Sequence, residues 1–299
     1  MSIRVLVVVQ DIKRAQEHEW FVTYMNREKF QLHFLLINGN NSYMDHFLQR
    51  KNIPAYYYNY NSKKDLIPLT WYIFRLLKKY SFDIIHTHLF EATLAGMVAS
   101  YAARIPKRIF TRHYSDYHHV WFPGAVKYDK FCNRLATNII ATSKNVRNIL
   151  TAMEHVPESK VELIHHGIDM SEYMPDAVSK ERVQRIRAEY NIDGKGPVIG
   201  AISRFTELKG IQYLIPAFRD LLIRYPDALL VLANATGDYK SAILEQLATT
   251  NTENYRLIEF ENDVPALYRV FDIFVHIPIN ASAEAFGQTY LESLASGIP

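Results

Sequence analysis

Two glutamates near the end of the sequence, Glu284 and Glu292, lie eight residues apart in the segment EAFGQTYLE. Glycoside hydrolases hold an acid and a base about 5–10 Å apart across one glycosidic bond. Eight residues of helix correspond to about 12 Å of rise, so this spacing disfavours hydrolysis by such a pair. Two acceptors further apart, with a positively polarised helix N-terminus between them, suit an elongated ligand with hydroxyl groups at both ends and phosphate in the middle. A nucleotide-sugar has that layout.

Two basic residues, Arg204 and Lys209, follow an apolar run in the segment AISRFTELKG. The segment has the pattern of a turn between a strand and a helix, where backbone N–H groups can bind an anion. Two cations beside such a turn are expected to bind phosphate. The sequence contains no GxxxxGK motif, which argues against ATP hydrolysis.

Short apolar runs alternate with helical patterns along the whole sequence. Near-continuous apolar strands separated by helices are typical of parallel sheets covered on both faces. The runs are IRVLVVV, QLHFLLI, FDIIHTH, KRIFT, NIIATS and VELIHH in the first half, and PVIGAIS, ALLVLAN, YRLIEF and DIFVHI in the second. Helical spacing is seen at Leu66, Leu69, Ile73, Leu76 and Leu77, and Ser143 has the character of a helix N-cap. These patterns predict an α/β protein with doubly wound sheets.

A charged, strand-poor segment, DMSEYMPDAVSKERVQRIRAEYNIDGKG, interrupts this series. Its Pro175 and its late glycines are typical of a domain boundary. We predict an N-terminal domain of residues 1–175 and a C-terminal domain of residues 176–299. Open parallel sheets bind ligands at the carboxyl ends of their strands, so two such domains are expected to face a cleft there.

The composition is that of a globular protein, with 48% hydrophobic and 22% charged residues in 299. A lone cysteine excludes an internal disulfide, and the N-terminal run acquires charge too soon for a signal peptide, which favours a cytoplasmic location. No apolar run approaches the roughly 20 residues that span a bilayer, so any membrane contact is expected to be peripheral, at the inner face. Residues 1–175 carry 22 Lys and Arg against 15 Asp and Glu, a charge of +7, whereas residues 176–299 carry −4. A basic first half suits an anionic acceptor or membrane surface, or only solvated lysines.

The segments SRFTELKG and EAFGQTYLE together resemble motifs of the retaining glycosyltransferases of family 4 (glycosyl transferases group 1), whose hallmark is two glutamates separated by seven residues. FDIIHTH, IFTRHYSD, IIATSKNV and VELIHHGIDMSEYMP are similar to further segments of that family, so the resemblance covers the chain from about residue 80 onward. It implies the GT-B fold, in which an N-terminal acceptor-binding and a C-terminal nucleotide-sugar-binding Rossmann-like domain face a cleft. The implied reaction moves a sugar from a nucleotide-sugar to a glycan or lipid-linked acceptor, with no role for nucleic acid.

The resemblance also implies roles for individual residues. Glu284 would contact the hydroxyl groups of the donor sugar and Glu292 the ribose of the nucleotide. The backbone around Phe286 and Gly287 would approach the sugar and the phosphates. Catalysis would then depend on Glu284, and donor binding on Phe286, Gly287 and Glu292.

The remaining implied roles concern the leaving group. Arg204 and Lys209 would neutralise the departing diphosphate, and His113 would lie beside the reacting sugar as a second catalytic residue. Preorganised cations and a helix dipole can stabilise such a leaving group, so no metal and no cofactor is expected. In a retaining reaction of this kind the leaving phosphate can take the acceptor's proton, and no protein base is required.

Other histidines are weaker candidates. His88, at the end of its strand, is the better of the two histidines in FDIIHTH, and His166 is interpreted as a hinge residue. The histidine pairs at 165–166 and 118–119 lack Cys or acidic partners at ligand spacing, so a metal site is not expected.

The sequence departs from the family pattern after its first strand, in the turn LANATGDY, which keeps only Gly237, and at its end. The loop after the first strand, within VVVQDIKRAQEHEW, contains no glycine, although family members usually have a glycine-rich loop there. A doubly wound domain normally continues beyond the helix that carries Glu292, and GIP has the character of the next strand's first residues. We therefore expect the C-terminal domain to be truncated in this sequence.

Two alternatives remain open. A nucleotide-sugar epimerase or a phosphorylase could share the architecture, although the set Arg204, Lys209, Glu284 and Glu292 disfavours both. A non-catalytic glycan- or nucleotide-binding relative would be expected to lose the donor-site residues, which are present here, while the altered first loop keeps this alternative open.

Overall fold

The computed structural model of the protein describes residues 2–11, 15–280 and 282–299. The chain divides into two compact units, Met1–Gly167 and Ile168–Pro299. The division therefore falls eight residues before the predicted boundary at 175. The physical reason is Tyr173, which is fully buried in the core of the second unit with its ring centroid 6.2 Å from that of Tyr268.

The first unit contains a seven-stranded parallel sheet with the order β3-β2-β1-β4-β5-β6-β7. Its strands are β1 (Ile3–Gln10), β2 (Phe30–Ile37), β3 (Ala55–Tyr58), β4 (Ile84–His88), β5 (Lys107–Arg112), β6 (Asn138–Ala141) and β7 (Val161–Leu163). The six predicted runs are confirmed. The seventh strand, β3, was not predicted, because its sequence AYYY has no alternation of apolar and polar residues and lies at the edge of the sheet.

Seven α-helices surround this sheet among the described residues. They are α1 (Gln16–Tyr24), α2 (Tyr43–Arg50), α3 (Leu66–Tyr80), α4 (Phe90–Ala102), α5 (Tyr117–Trp121), α6 (Val126–Leu135) and α7 (Lys144–Asn148). The predicted helical spacing is confirmed in α3, where Leu69, Ile73 and Leu77 are buried. The predicted N-cap is confirmed as well, since Ser143 Oγ accepts a hydrogen bond from the backbone N–H of Val146 at 3.2 Å.

The second unit contains a four-stranded parallel sheet with the order β10-β9-β8-β11. Its strands are β8 (Val198–Ile202), β9 (Leu229–Ala233), β10 (Tyr255–Ile258) and β11 (Ile273–Phe274). Among the described residues, its α-helices are α8 (Lys180–Glu189), α9 (Ile211–Arg224), α10 (Lys240–Leu247), α11 (Val264–Tyr268) and α12 (Gln288–Ala295). All four predicted runs form strands.

The second sheet is covered on both faces, as a doubly wound unit requires. In β9, Leu229 and Val231 belong to the apolar cluster on one face, and Leu230 and Leu232 belong to the cluster on the other. Because alternate residues of a strand point to opposite faces, a strand that is buried on both faces must be apolar throughout. The predicted α/β class is thus confirmed. Among the described residues, no helix is both long enough and apolar enough to cross a bilayer.

Candidate functional site

Two loops of the second unit, one after β8 and one after β11, are held against each other at the carboxyl end of the sheet. The backbone N–H of Ile279 donates to the carbonyl of Leu208 at 3.1 Å. Gly210 is the N-cap of α9, with a φ of +72°, and a Cβ placed on it would lie 1.8 Å from the carbonyl oxygen of Ile277. Only glycine fits this position, because any other side chain would separate the two loops.

The loop contact brings two predicted site residues together. Lys209 Nζ lies 2.7 Å from Oε2 of Glu284, and both side chains are partly buried. The same oxygen lies 2.8 Å from Nε2 of His276, whose side chain is 4% exposed. Burial opposes ionisation of Glu284, but the hydrogen bond from His276 and the charge of Lys209 outweigh it and lower its pKa to about 2. Glu284 is therefore a fixed anion with two directed donors at neutral pH.

His276 was not singled out from the sequence. It follows β11 by two residues, at the end of the run DIFVHI, and this position after a buried strand is the signal that could have found it. Its ring meets the ring of Tyr290 edge to face, with centroids 4.5 Å apart, and the Tyr290 hydroxyl donates to its carbonyl at 3.0 Å. The imidazole is thus fixed by contacts on more than one side.

The helix α12 begins after Gly287, which is its N-cap with a φ of +77°. A Cβ on Gly287 would lie 2.5 Å from Cδ2 of Tyr290, so glycine is required there as well. Glu284 precedes this turn and is not part of the helix. The helical estimate of about 12 Å therefore does not apply to the two carboxylates, because the left-handed Gly287 separates Glu284 from the helix that carries Glu292.

Glu292 is a buried carboxylate in the second turn of α12, with 7% of its surface exposed. The Tyr268 hydroxyl donates to its Oε2 at 3.0 Å, and Gln288 Nε2 donates to its Oε1 at 3.2 Å. Burial raises the pKa of Glu292, and the hydrogen bond from Tyr268 opposes this rise. Each carboxylate oxygen has a second lone pair, so the group can accept further hydrogen bonds from a ligand.

The other predicted donor residues lie on the same two loops. Arg204 is exposed after β8, and the neighbouring Phe205 is buried with its carbonyl accepting from the N–H of Tyr239 at 2.9 Å. Phe286 is half-buried immediately before Gly287. The structure thus joins Lys209 to Glu284 directly, whereas Arg204 extends into solvent.

His113, predicted as a catalytic residue, lies in the first unit within a group of histidines. Its Nε2 is 2.9 Å from Nδ1 of His88, and its ring stacks on that of His166 with centroids 5.5 Å apart. Burial and the neighbouring imidazoles lower the pKa of His113 well below its usual value, so the ring is neutral at pH 7. His166, interpreted from the sequence as a hinge residue, also pairs with Glu17. The glycine-free loop after β1 includes residues 12–14, which lie outside the described residues.

The architecture and these loops define a two-unit α/β protein of doubly wound sheets with GT-B-like topology. A family model described as Glycosyltransferase Family 4 matches residues 21–172, and one described as Glycosyl transferases group 1 matches residues 182–299. The chain therefore belongs to glycosyltransferase family 4.

Similar proteins of known name agree with this family. The chain is 27% identical over 237 residues to alpha-monoglucosyldiacylglycerol synthase of Streptococcus pneumoniae, a match that covers 75% of this chain and 52% of that protein. It is 27% identical over 258 residues to mannosylfructose-phosphate synthase of Agrobacterium fabrum, with 75% and 54% covered. The chain thus spans about half the length of these relatives.

Solved structures share the fold. Anabaena HepE in complex with UDP and glucose superposes with a TM-score of 0.81 at 19% identity, over 99% of this chain and 79% of that one. UDP-GlcNAc 2-epimerase of Methanocaldococcus jannaschii superposes with a TM-score of 0.64 at 13% identity, over 99% and 82%. The GT-B fold predicted from the sequence is confirmed, and at these identities the likeness concerns the fold alone.

Proposed function

We propose that this protein is a retaining glycosyltransferase that moves a sugar from a nucleotide-sugar to a glycan or lipid-linked acceptor. The observation that carries the proposal is the cluster of Lys209, Glu284 and His276, because it sets a cation and a fixed anion side by side next to two glycine-capped helix N-termini. A sugar diphosphate needs both: donors and positive charge for its phosphates, and an acceptor for its hydroxyl groups.

In the proposed reaction, Arg204 and Lys209 neutralise the charge that gathers on the departing diphosphate. Preorganised positive charge stabilises a transition state without reorganising when the bond breaks, so the step is proposed to need no metal ion. The backbone N–H groups at the first turns of α9 and α12 are proposed to donate to the phosphate oxygens.

Glu284 and Glu292 are proposed to bind the two ends of the donor. The ionised Glu284 accepts hydrogen bonds from the sugar hydroxyls, and its orientation is held by His276 and Lys209. Glu292 accepts from the ribose hydroxyls, and Tyr268 holds it in place. Because a buried acceptor without a partner costs about 1–3 kcal/mol, a ligand that lacks the hydroxyl is discriminated against.

His113 is proposed to contact the reacting sugar as a neutral imidazole. Its hydrogen bond with His88 requires one of the two facing nitrogens to carry a proton, which orients the ring without charging it. The proton of the acceptor passes to the leaving phosphate, and the new bond forms on the face from which the diphosphate departs.

The names of similar proteins guide the choice of substrates. HepE binds UDP, glucose and UDP-glucose in its solved structures, so uridine nucleotides are the first donors to test. A galactosyltransferase of Escherichia coli, 20% identical over 99% of this chain, acts on GlcNAc-diphosphoundecaprenol, which supports a lipid-linked acceptor and peripheral contact with a membrane.

The test is a thermal-shift screen of UDP-, GDP- and ADP-sugars on the full chain, repeated with Lys209→Ala and Glu292→Ala. A donor at about 100 times its dissociation constant stabilises the fold by about 2.7 kcal/mol, and both variants should lose most of that gain. Lys180→Ala and Glu245→Ala change exposed residues of α8 and α10 and serve as matched controls. If no nucleotide-sugar stabilises the wild type, or if the site variants respond like the controls, the donor site is wrongly assigned. Product analysis then separates transfer from the epimerisation that other proteins of this fold perform.

A further inference from the structure

Five histidines and one glutamate, far apart in the sequence, come together in the first unit. The ring of His88 is central: its centroid lies 4.2 Å from that of His86, 4.6 Å from that of His18 and 5.1 Å from that of His113. The ring centroids of His113 and His166 are 5.5 Å apart. Glu17 contacts both His18 and His166. We call these residues the histidine cluster; its members are Glu17, His18, His86, His88, His113 and His166.

We propose that the histidine cluster binds one divalent transition-metal ion of the Zn²⁺ class through Glu17, His113 and His166. One ligand atom from each of these residues lies within 4.8 Å of the others. Ligand atoms about 2.0–2.2 Å from a tetrahedral ion are about 3.3–3.6 Å from each other. The 3.1 Å between Glu17 Oε2 and His166 Nδ1 is already close to that spacing.

A second triad is formed by Glu17, His18 and His88, which also have one ligand atom each within 4.8 Å of the others. It shares its only carboxylate with the first triad, and Nδ1 of His88 lies 2.9 Å from Nε2 of His113. Two cations so close together, with one anion between them, would repel each other strongly in a buried site. The two triads therefore cannot both be filled at once, and we expect one ion per chain, bound by Glu17, His113 and His166.

A buried polar atom supports the site independently. His18 is 3% exposed, and its Nε2 has no hydrogen-bond partner among the described residues. Leaving such an atom unpaired costs about 1–3 kcal/mol. This nitrogen lies 3.7 Å from Oε1 of Glu17, so it faces the carboxylate that both triads use.

The side chains of the histidine cluster suit a transition-metal ion. Neutral imidazole and carboxylate are common ligands of Zn²⁺, whereas Mg²⁺ and Ca²⁺ prefer oxygen alone.

The ion would coordinate His113. This inference rests on the proposed function in one respect: because His113 is proposed to contact the reacting sugar, a bound ion would inhibit transfer and not assist it. The binding experiment needs no sugar donor, and its outcome is therefore independent of that function.

The test uses the full chain without an affinity tag, treated with a chelator and then titrated. Co²⁺ binding is followed by visible absorption, and Zn²⁺ affinity by competition with a chromophoric chelator. We expect one ion per chain and a visible spectrum typical of Co²⁺ with a low coordination number. Glu17→Gln and His166→Asn should weaken binding about 100-fold or more, because loss of even an outer-shell partner typically costs 10–100-fold. His46→Asn changes an exposed histidine of α2 and should leave the affinity unchanged.

Two results would overturn the proposal: a Zn²⁺ affinity weaker than millimolar in the wild type, or equal affinities in the wild type and both cluster variants. Circular dichroism establishes whether each variant is folded. Anomalous scattering from a crystal of the unmodified chain soaked in Zn²⁺ locates the ion without any variant, and an ion bound only elsewhere contradicts the assignment.

Discussion

Nε2 of His276 lies 2.8 Å from Oε2 of Glu284. Glu284 is ionised above its pKa of about 2 and offers only acceptors, so Nε2 of His276 must carry the proton. Nδ1, the other ring nitrogen, lies 3.4 Å from the hydroxyl oxygen of Thr289. The imidazole is thereby held in one orientation and directs a carboxylate that we propose to bind the donor sugar.

The first prediction concerns this positioning role. His276→Leu removes the donor to Glu284 and should lower kcat/KM for transfer by about 10–100-fold, since a hydrogen bond to a charged group contributes about 1.5–3 kcal/mol. His276→Gln keeps an N–H donor on a side chain of similar length and should recover part of the loss. Steady-state kinetics of both variants with a nucleotide-sugar donor provides the measurement. Equal losses in the two variants would show that the ring only fills space.

The second prediction concerns the pH dependence of stability. The pKa of Glu284 is depressed from 4.5 to about 2 in the folded protein, so the folded state favours its ionised form. This contribution is fully present above about pH 4.5 and is lost as the pH falls towards 2, because the unfolded chain binds the proton first. The difference in unfolding free energy between wild type and Glu284→Gln should therefore become smaller as the pH falls from 5 to 3. Urea unfolding of both proteins without donor measures it, and a deficit that does not depend on pH would contradict the low pKa.

The sequence predicted ten of the strands, the capping serine at 143 and the helix that carries Glu292, because each depends on local pattern. It did not predict β3, whose place depends on pairing with β2 and whose tyrosines show no clear periodicity. The predicted boundary at 175 lies eight residues after the division at Gly167, and Tyr173 packs in the second unit through a contact with Tyr268 that is distant in sequence.

Side-chain clusters were harder to predict for the same reason. Glu284 and Lys209 were each found from motifs, but their ion pair spans 75 residues and depends on two loops that meet at Gly210. The histidine cluster draws on α1, β4 and the segments after β5 and β7, so no local ligand spacing indicates it. Spacing reveals sites within one element, whereas sheet order decides which elements share an edge.

The third prediction separates steric fit from backbone strain in the loop contact. Gly210→Ala places a Cβ 1.8 Å from the carbonyl oxygen of Ile277 at a φ of +72°. Gly194→Ala has a similar φ of +75°, but nothing lies within 4 Å of its Cβ. The left-handed conformation should cost each variant about 1–2 kcal/mol, and overpacking should cost Gly210→Ala about 1–3 kcal/mol more. Denaturant unfolding gives both values, and equal destabilisation would mean that the loops do not need this close approach.

The fourth prediction concerns a buried charge network in the first unit. Arg112 is 2% exposed, with Nη1 3.2 Å from Oδ1 of Asp129 and Nη2 bonded to Glu154. Arg112→Met would leave two buried carboxylates without their cation, and breaking such a pair typically costs about 3–5 kcal/mol. Arg147→Met breaks the exposed pair with Glu158 and should cost about 0–1 kcal/mol. Urea unfolding of the two variants tests the contrast. Equal losses in the two variants would contradict the prediction that the buried network contributes more than the exposed pair.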